Sequence, residues 1–175
     1  MQLELTTSQK EFLRQESIKD FGEIKIVNDT IEWNKSYHNK LIIPFNKIFA
    51  IGEYTTDLGP FEPDAYLVFL DNQGNWEEIP FNAIAHDDFL EQLSRHFDVS
   101  IKQELPKNKI DSRYIWPVGD KPNSLFSFIS NENLGFMEKV KSLLYGKSYQ
   151  IELTAEAKSF LNKTTPLISS KSDFI

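Results

Sequence analysis

From Gly22 to Phe81 this chain falls into six short runs separated by turn-forming residues, some alternating apolar and polar side chains with a period of two and others almost wholly apolar. That period puts alternate side chains on opposite faces of an extended strand, and runs so close in sequence pair antiparallel. Ile24 and Ile26 alternate with charged neighbours, and Asn28-Asp29 then leads into Ile31 and Trp33. Asn and Asp tolerate positive φ, so this pair predicts a two-residue hairpin turn. Leu41-Ile42-Ile43 is a third strand, which Pro44 limits or marks as an edge. Ile48 to Tyr54 and Tyr66 to Leu70 are almost wholly apolar, as strands in the middle of a sheet are. Asp71-Asn72-Gln73-Gly74 then turns into a sixth run, Trp76 to Phe81.

The sheet is followed by a helix. Asp88 and Glu91 suit a helix N-terminus, and Phe89, Leu93 and Phe97, with Leu90 beside them, form an apolar stripe. Ahead of the sheet, Leu3 and Leu5 alternate as a short strand, and Thr6 with Gln9 matches a capping box opening a helix that presents Phe12 and Leu13. Beyond Asp98 the pattern thins to a charged connector containing Pro106, a short strand Arg113 to Trp116, and a turn-rich loop from Pro117 to Asn123. Ser124 to Ile129 fits helix and strand alike. Leu134, Met137, Val140 and Leu144 recur at helical spacing with Gly146 at the C-cap position, and Tyr149, Ile151 and Leu153 alternate before a last helix with Ala157, Phe160 and Leu161. The fold class expected is α+β: an antiparallel sheet or partly open barrel closed by an amphipathic helix over residues 1–98, and a smaller mixed unit over 99–175, separate or packed into one body.

Residues 2–14 and 150–162 align without gaps and share Gln, Glu, Leu, Thr, Lys, Phe and Leu. Two strand-to-helix junctions with the same capping and stripe requirements would look alike. A duplicated unit, in a chain that belongs to a longer tandem protein, would too.

The order of elements over residues 22–97, two blocks of antiparallel strands ending in the helix that carries Phe89, Leu93 and Phe97, resembles the pleckstrin-homology-like fold. The resemblance implies a protein that binds peptides, proteins or inositol lipids rather than one that catalyses a reaction. The lipid-binding branch uses a basic loop between its first two strands. Here that loop is Asn28-Asp29, with Glu23 and Glu32 nearby and only Lys25 as a cation, so the resemblance does not extend to lipid headgroups.

Charge narrows the partners further. The net charge is −7, and residues 1–99 carry 8 basic and 18 acidic side chains, whereas residues 100–148 carry 8 and 5. An acidic first half disfavours phosphate backbones and anionic lipid, whose ligands need cationic surface, and favours a basic partner or simple solubility. The chain has no cysteine, which removes disulfides, thiol catalysis and sulfur-ligated zinc, and fits a reducing compartment. The first residues lack the basic segment and apolar run of a secretory leader, and no run approaches eighteen apolar residues, so the cytoplasm is the expected location.

No local motif assigns chemistry. His38, His86 and His96 are the three histidines, and no two have metal-ligand spacing. The seven glycines never form a phosphate-cradling loop, and there is no Gly-x-Ser-x-Gly. Glu77 and Glu78 point to opposite faces of one strand. No cofactor and no metal is expected. The most suggestive segment is Tyr54 to Asp64, which joins two apolar strands and carries two prolines, so Tyr54, Asp57, Phe61, Glu62 and Asp64 are the candidate partner-binding residues. A connection tied down by Phe61 packing on the sheet explains the same segment without a ligand. Lys102, Lys107, Lys109 and Arg113, interrupted by Glu104 and Asp111, read as a solvated connector or as one that docks on the acidic first half of the same chain or of a neighbour. The function expected is a non-enzymatic module recognising a protein or peptide, in its sharpest form an acidic inhibitor or immunity-type protein that masks a basic partner. The alternatives are an enzyme with a carboxylate site in an aromatic cleft, and a structural part of a tandem chain.

Overall fold

The computed structural model describes residues 7–8, 21–36, 39–57, 63–84, 88–106, 109–119, 122–130 and 149–164. The six expected strands are present as β1 (Glu23–Val27), β2 (Thr30–Ser36), β3 (Asn39–Pro44), β4 (Ala50–Thr55), β5 (Ala65–Leu70) and β6 (Trp76–Pro80). They form two antiparallel sheets. The first has the order β1-β2-β3, and the second has the order β6-β5-β4-β7, its last member being Asp111–Trp116. A third, two-stranded sheet pairs β8 (Phe126–Ser130) with β9 (Tyr149–Leu153). Among the described strands no pairing joins the first sheet to the second, so the architecture is α+β with open antiparallel sheets and no closed barrel.

Local chemistry explains the turns. Asn28 and Asp29 both take positive φ, 48° and 54°, as a two-residue hairpin of this hand requires. The β5–β6 turn is built on Asp71, whose Oδ1 accepts the backbone N–H groups of Gln73 (2.8 Å) and Asn75 (2.9 Å), and Gly74 supplies a φ of 83°. A short helix α1 (Phe81–Ile84) and then α2 (Phe89–Phe97) follow. Asp88 stands at the N-cap of α2, but its carboxylate makes no capping hydrogen bond there. The helix ends at Asp98 in the left-handed region, φ 50°, with its N–H on the Ser94 carbonyl. Ser124 to Ile129, which fitted both periods, is extended. The last helix, α3 (Ala155–Thr164), starts where Thr154 Oγ1 accepts the Ala157 N–H at 3.0 Å.

The second sheet is the middle layer. On one face Ile51, Leu67, Phe69, Ile79 and Ile115 pack with Ile24, Ile31, Trp33 and Ile43 of the first sheet and with Phe89 and Leu93 of α2. On the other face Ala50, Tyr54, Val68, Leu70 and Tyr114 pack with Leu125, Phe126 and Leu153 around the β8–β9 pair and with Ala157 and Leu161 of α3. Every residue of β4 is therefore buried, which is why its sequence shows no polar alternation. Each fully buried aliphatic side chain here contributes roughly 1.5–3 kcal/mol. The layers approach closely at Gly52, where an added Cβ would lie against Leu125 Cδ2 and within 2.8 Å of the Arg113 carbonyl oxygen.

The N-terminal strand and helix expected around Leu3 to Leu13, the helix over Leu134 to Leu144, and with them any test of a duplication, lie outside the described residues, apart from Thr7 and Ser8, which are helical.

Candidate functional site

The loop singled out in the sequence is closed at its base by the Thr56 N–H donating to the Asp64 carbonyl at 2.8 Å. Tyr54 does not project into it. The side chain is 2% exposed, stacks on Tyr66 with centroids 4.8 Å apart, meets Phe126 edge-on, and donates from Oη to Glu78 Oε2 at 2.7 Å. Its parity with Ala50 and Gly52 sends it into the second core, which is the physical reason it is no surface anchor. Asp57 is exposed and Asp64 half-buried, on either side of the loop, while Phe61 and Glu62 lie outside the described residues.

A carboxylate that the sequence reading passed over occupies the middle of the molecule. Glu53, on β4, is 0% exposed. A buried charge is tolerated only when paired and hydrogen-bonded, and Glu53 is both. Its oxygens accept the backbone N–H groups of Glu104 and Leu105, and the Arg113 guanidinium on neighbouring β7 sits at 3.2 Å. Arg113 also reaches Glu104 Oε2 at 3.0 Å and the Lys102 carbonyl at 3.0 Å. The charged connector is thus docked on the acidic first half of its own chain, through one arginine and one buried glutamate. The signal in the sequence was Glu53 itself, a lone carboxylate inside an apolar central strand.

The open surface lies at the other end of the same sheet. Asp71 pins the turn between β5 and β6: burial acts to raise its pKa, but the Asn75 side chain and the N–H groups of Gln73, Asn75 and Gly74 outweigh that and hold it below the ordinary carboxylate value. Two cavities flank this turn. One, of about 510 Å³, lies between the end of β3 and the start of β6, with Ile42, Pro44, Lys47, Phe49, Phe69 and Glu77 in its walls. The other, of about 520 Å³, lies between the turn and α3, with Gln73, Trp76, Gln150, Glu152, Lys158 and Leu161 in its walls. Ile42 is 53% exposed at the first. The two share a wall: Asn72, Gln73 and Trp76 line both, while Glu77 lines the first alone.

Among the described residues no three His, Asp or Glu side chains gather as a metal site, and no helix is long and apolar enough to cross a membrane. His38 and His86 lie outside the described residues; His96 meets the Phe45 ring at a tilt of 52°, with centroids 4.2 Å apart. No known protein family, no curated protein and no solved structure matches this chain.

Proposed function

We propose that this chain is a non-enzymatic binding module that recognises a protein or peptide of basic character through an exposed strand edge. The observation that carries the reading is the pair of clefts flanking the turn that leads into β6, each within the roughly 300–1,000 Å³ range of ligand sites. The acidity of residues 1–99, with 18 acidic against 8 basic side chains, supports the charge of the partner. The pleckstrin-homology-like reading of residues 22–97 belongs to the same proposal, supported by two antiparallel triplets of strands followed by α2. So does a cytoplasmic setting, supported by the lack of cysteine. An inhibitor or immunity-type protein masking a basic partner is its most specific form.

Affinity capture from a lysate of the source organism, at low and at moderate salt with mass-spectrometric readout, tests the reading. A stoichiometric basic protein whose retention falls as salt rises is the expected result. An empty capture at both salt concentrations overturns it.

A further inference from the structure

The first cleft holds two charges of opposite sign that do not meet. Lys47 and Glu77 stand in its walls, both exposed, and they form no ion pair with each other. The third charged residue there, Asp71, already accepts the turn's own donors, Gln73 and Asn75. We infer that this cleft of about 510 Å³ takes the C-terminal residue of the partner, an arginine or lysine whose free carboxylate meets Lys47 and whose cationic head meets Glu77. This rests on the binding-module reading and names the part of the partner that the module reads.

The backbone keeps the two charges apart. The Phe49 N–H donates to the Leu70 carbonyl at 2.7 Å, and on the other side of β5 Glu77 lies opposite Phe69. Phe49, β5 and β6 therefore lie side by side, which sets the two walls about two strand spacings, roughly 10 Å, apart. Residues directly opposite in a sheet share a face, so Glu77 rises beside Phe69, on the face that the first sheet covers. Lys47 ends the 3-10 turn Phe45–Lys47, two residues before Phe49, and so belongs to the far wall. Phe49, Phe69 and Leu70, all buried, form the floor between them.

Complementarity selects a dipolar occupant. A cation alone leaves Lys47 facing a like charge, and an anion alone does the same to Glu77. A partner of basic character has few side-chain carboxylates, but every chain carries one at its C-terminus. A basic C-terminal residue sets that carboxylate and a cationic head at the two ends of an apolar stem, and the aromatic floor, with Ile42 at the rim, covers the stem. Capture of a terminal carboxylate is a recurrent way of reading peptides, because internal residues lack that charge. The side-chain amides of Asn46 and Asn72, able to donate and to accept, stand in the same walls for the last peptide group. The second cleft also holds one acid and one base, Glu152 and Lys158, but there Gln150 Nε2 already donates to Glu152 at 2.9 Å.

Magnetic-resonance titration of the isotope-labelled whole chain with Gly/Ser octapeptides ending in arginine tests this. The free acid should bind about fivefold more tightly than its C-terminal amide, and about fivefold more tightly than the peptide ending in neutral citrulline, the worth of one exposed ion pair each. Lys47→Ala should abolish the acid-to-amide ratio and spare the other, and Glu77→Gln should do the reverse. Lys158→Ala, in the second cleft, should leave both ratios unchanged. Equal affinity for acid and amide, ratios that answer to Lys158 instead of Lys47, or no binding of the free acid at millimolar concentration overturn the assignment. Free arginine that binds as tightly as the peptide overturns it too, since the cleft would then take an amino acid and not a chain end. If lysate capture nevertheless yields a salt-sensitive basic protein, the binding-module reading stands and only its site is wrong. If capture is empty as well, both fall.

Discussion

At the scale of single residues, Glu53 and Arg113 show what a central charge demands. Removing Arg113 leaves the fully buried Glu53 carboxylate without its counter-charge, whereas removing both takes the charge away together with its partner. Arg113→Met is therefore expected to lower stability by about 3 kcal/mol in urea denaturation, and Glu53→Leu with Arg113→Met by clearly less than the sum of the single changes. Additive losses would show that the two side chains do not act as a pair. The partnership was only half legible in the sequence. A lone carboxylate in an apolar strand announces that it has a partner, but Arg113 lies far along the chain, and a pairing closed by tertiary folding leaves no local trace. Tyr54 carries the converse lesson. Its place at the end of an apolar run made it look like the first residue of a loop, although counting in twos from Ala50 already put it on a buried face.

Among the elements, the six strands from β1 to β6 were readable because their turns carry the residues that positive φ selects, Asn28-Asp29 and Gly74. What could not be read was cover. β4 and β5 lack alternation on either face, which says that both faces are buried but not by what. The covering pieces are β8, β9 and α3, joined to the sheet by contacts distant in sequence. Tyr114 measures that cover directly. Its ring meets Phe160 of α3 edge-on at 5.7 Å, and burial raises its phenol to about 12 from the usual 10. The folded state thus holds the proton more tightly than the unfolded chain. The contribution is fully present below about pH 10 and is lost as pH rises through about 12. Absorbance titration of tyrosinate should show one phenol ionising near 12, and Phe160→Ala should bring it down towards 10. A Tyr114 that titrates near 10 in the parent protein would mean that α3 does not seal it.

The molecule as a whole is organised around one shared layer. Both cores are anchored in the sheet β6-β5-β4-β7, so neither can come apart without exposing one side of the other's support. Urea unfolding is expected to show one transition, with tryptophan fluorescence and far-ultraviolet circular dichroism coinciding. Ile79→Ala in the first core and Leu125→Ala in the second should each lower the same midpoint, by about 2–5 kcal/mol of stability. Two separated transitions, each moved by only one of these substitutions, would mean two independently folding units.

The sealing of β4 on both faces has a consequence for descent as well as for stability. A side chain there meets neighbours on two fronts, so a change at one position calls for matching changes in layers far apart in the chain, and such coordinated changes arise rarely. Glu77 on β6 faces solvent, and a substitution there disturbs nothing behind it. A lineage of chains with this architecture can therefore keep its interior nearly fixed while the rim drifts.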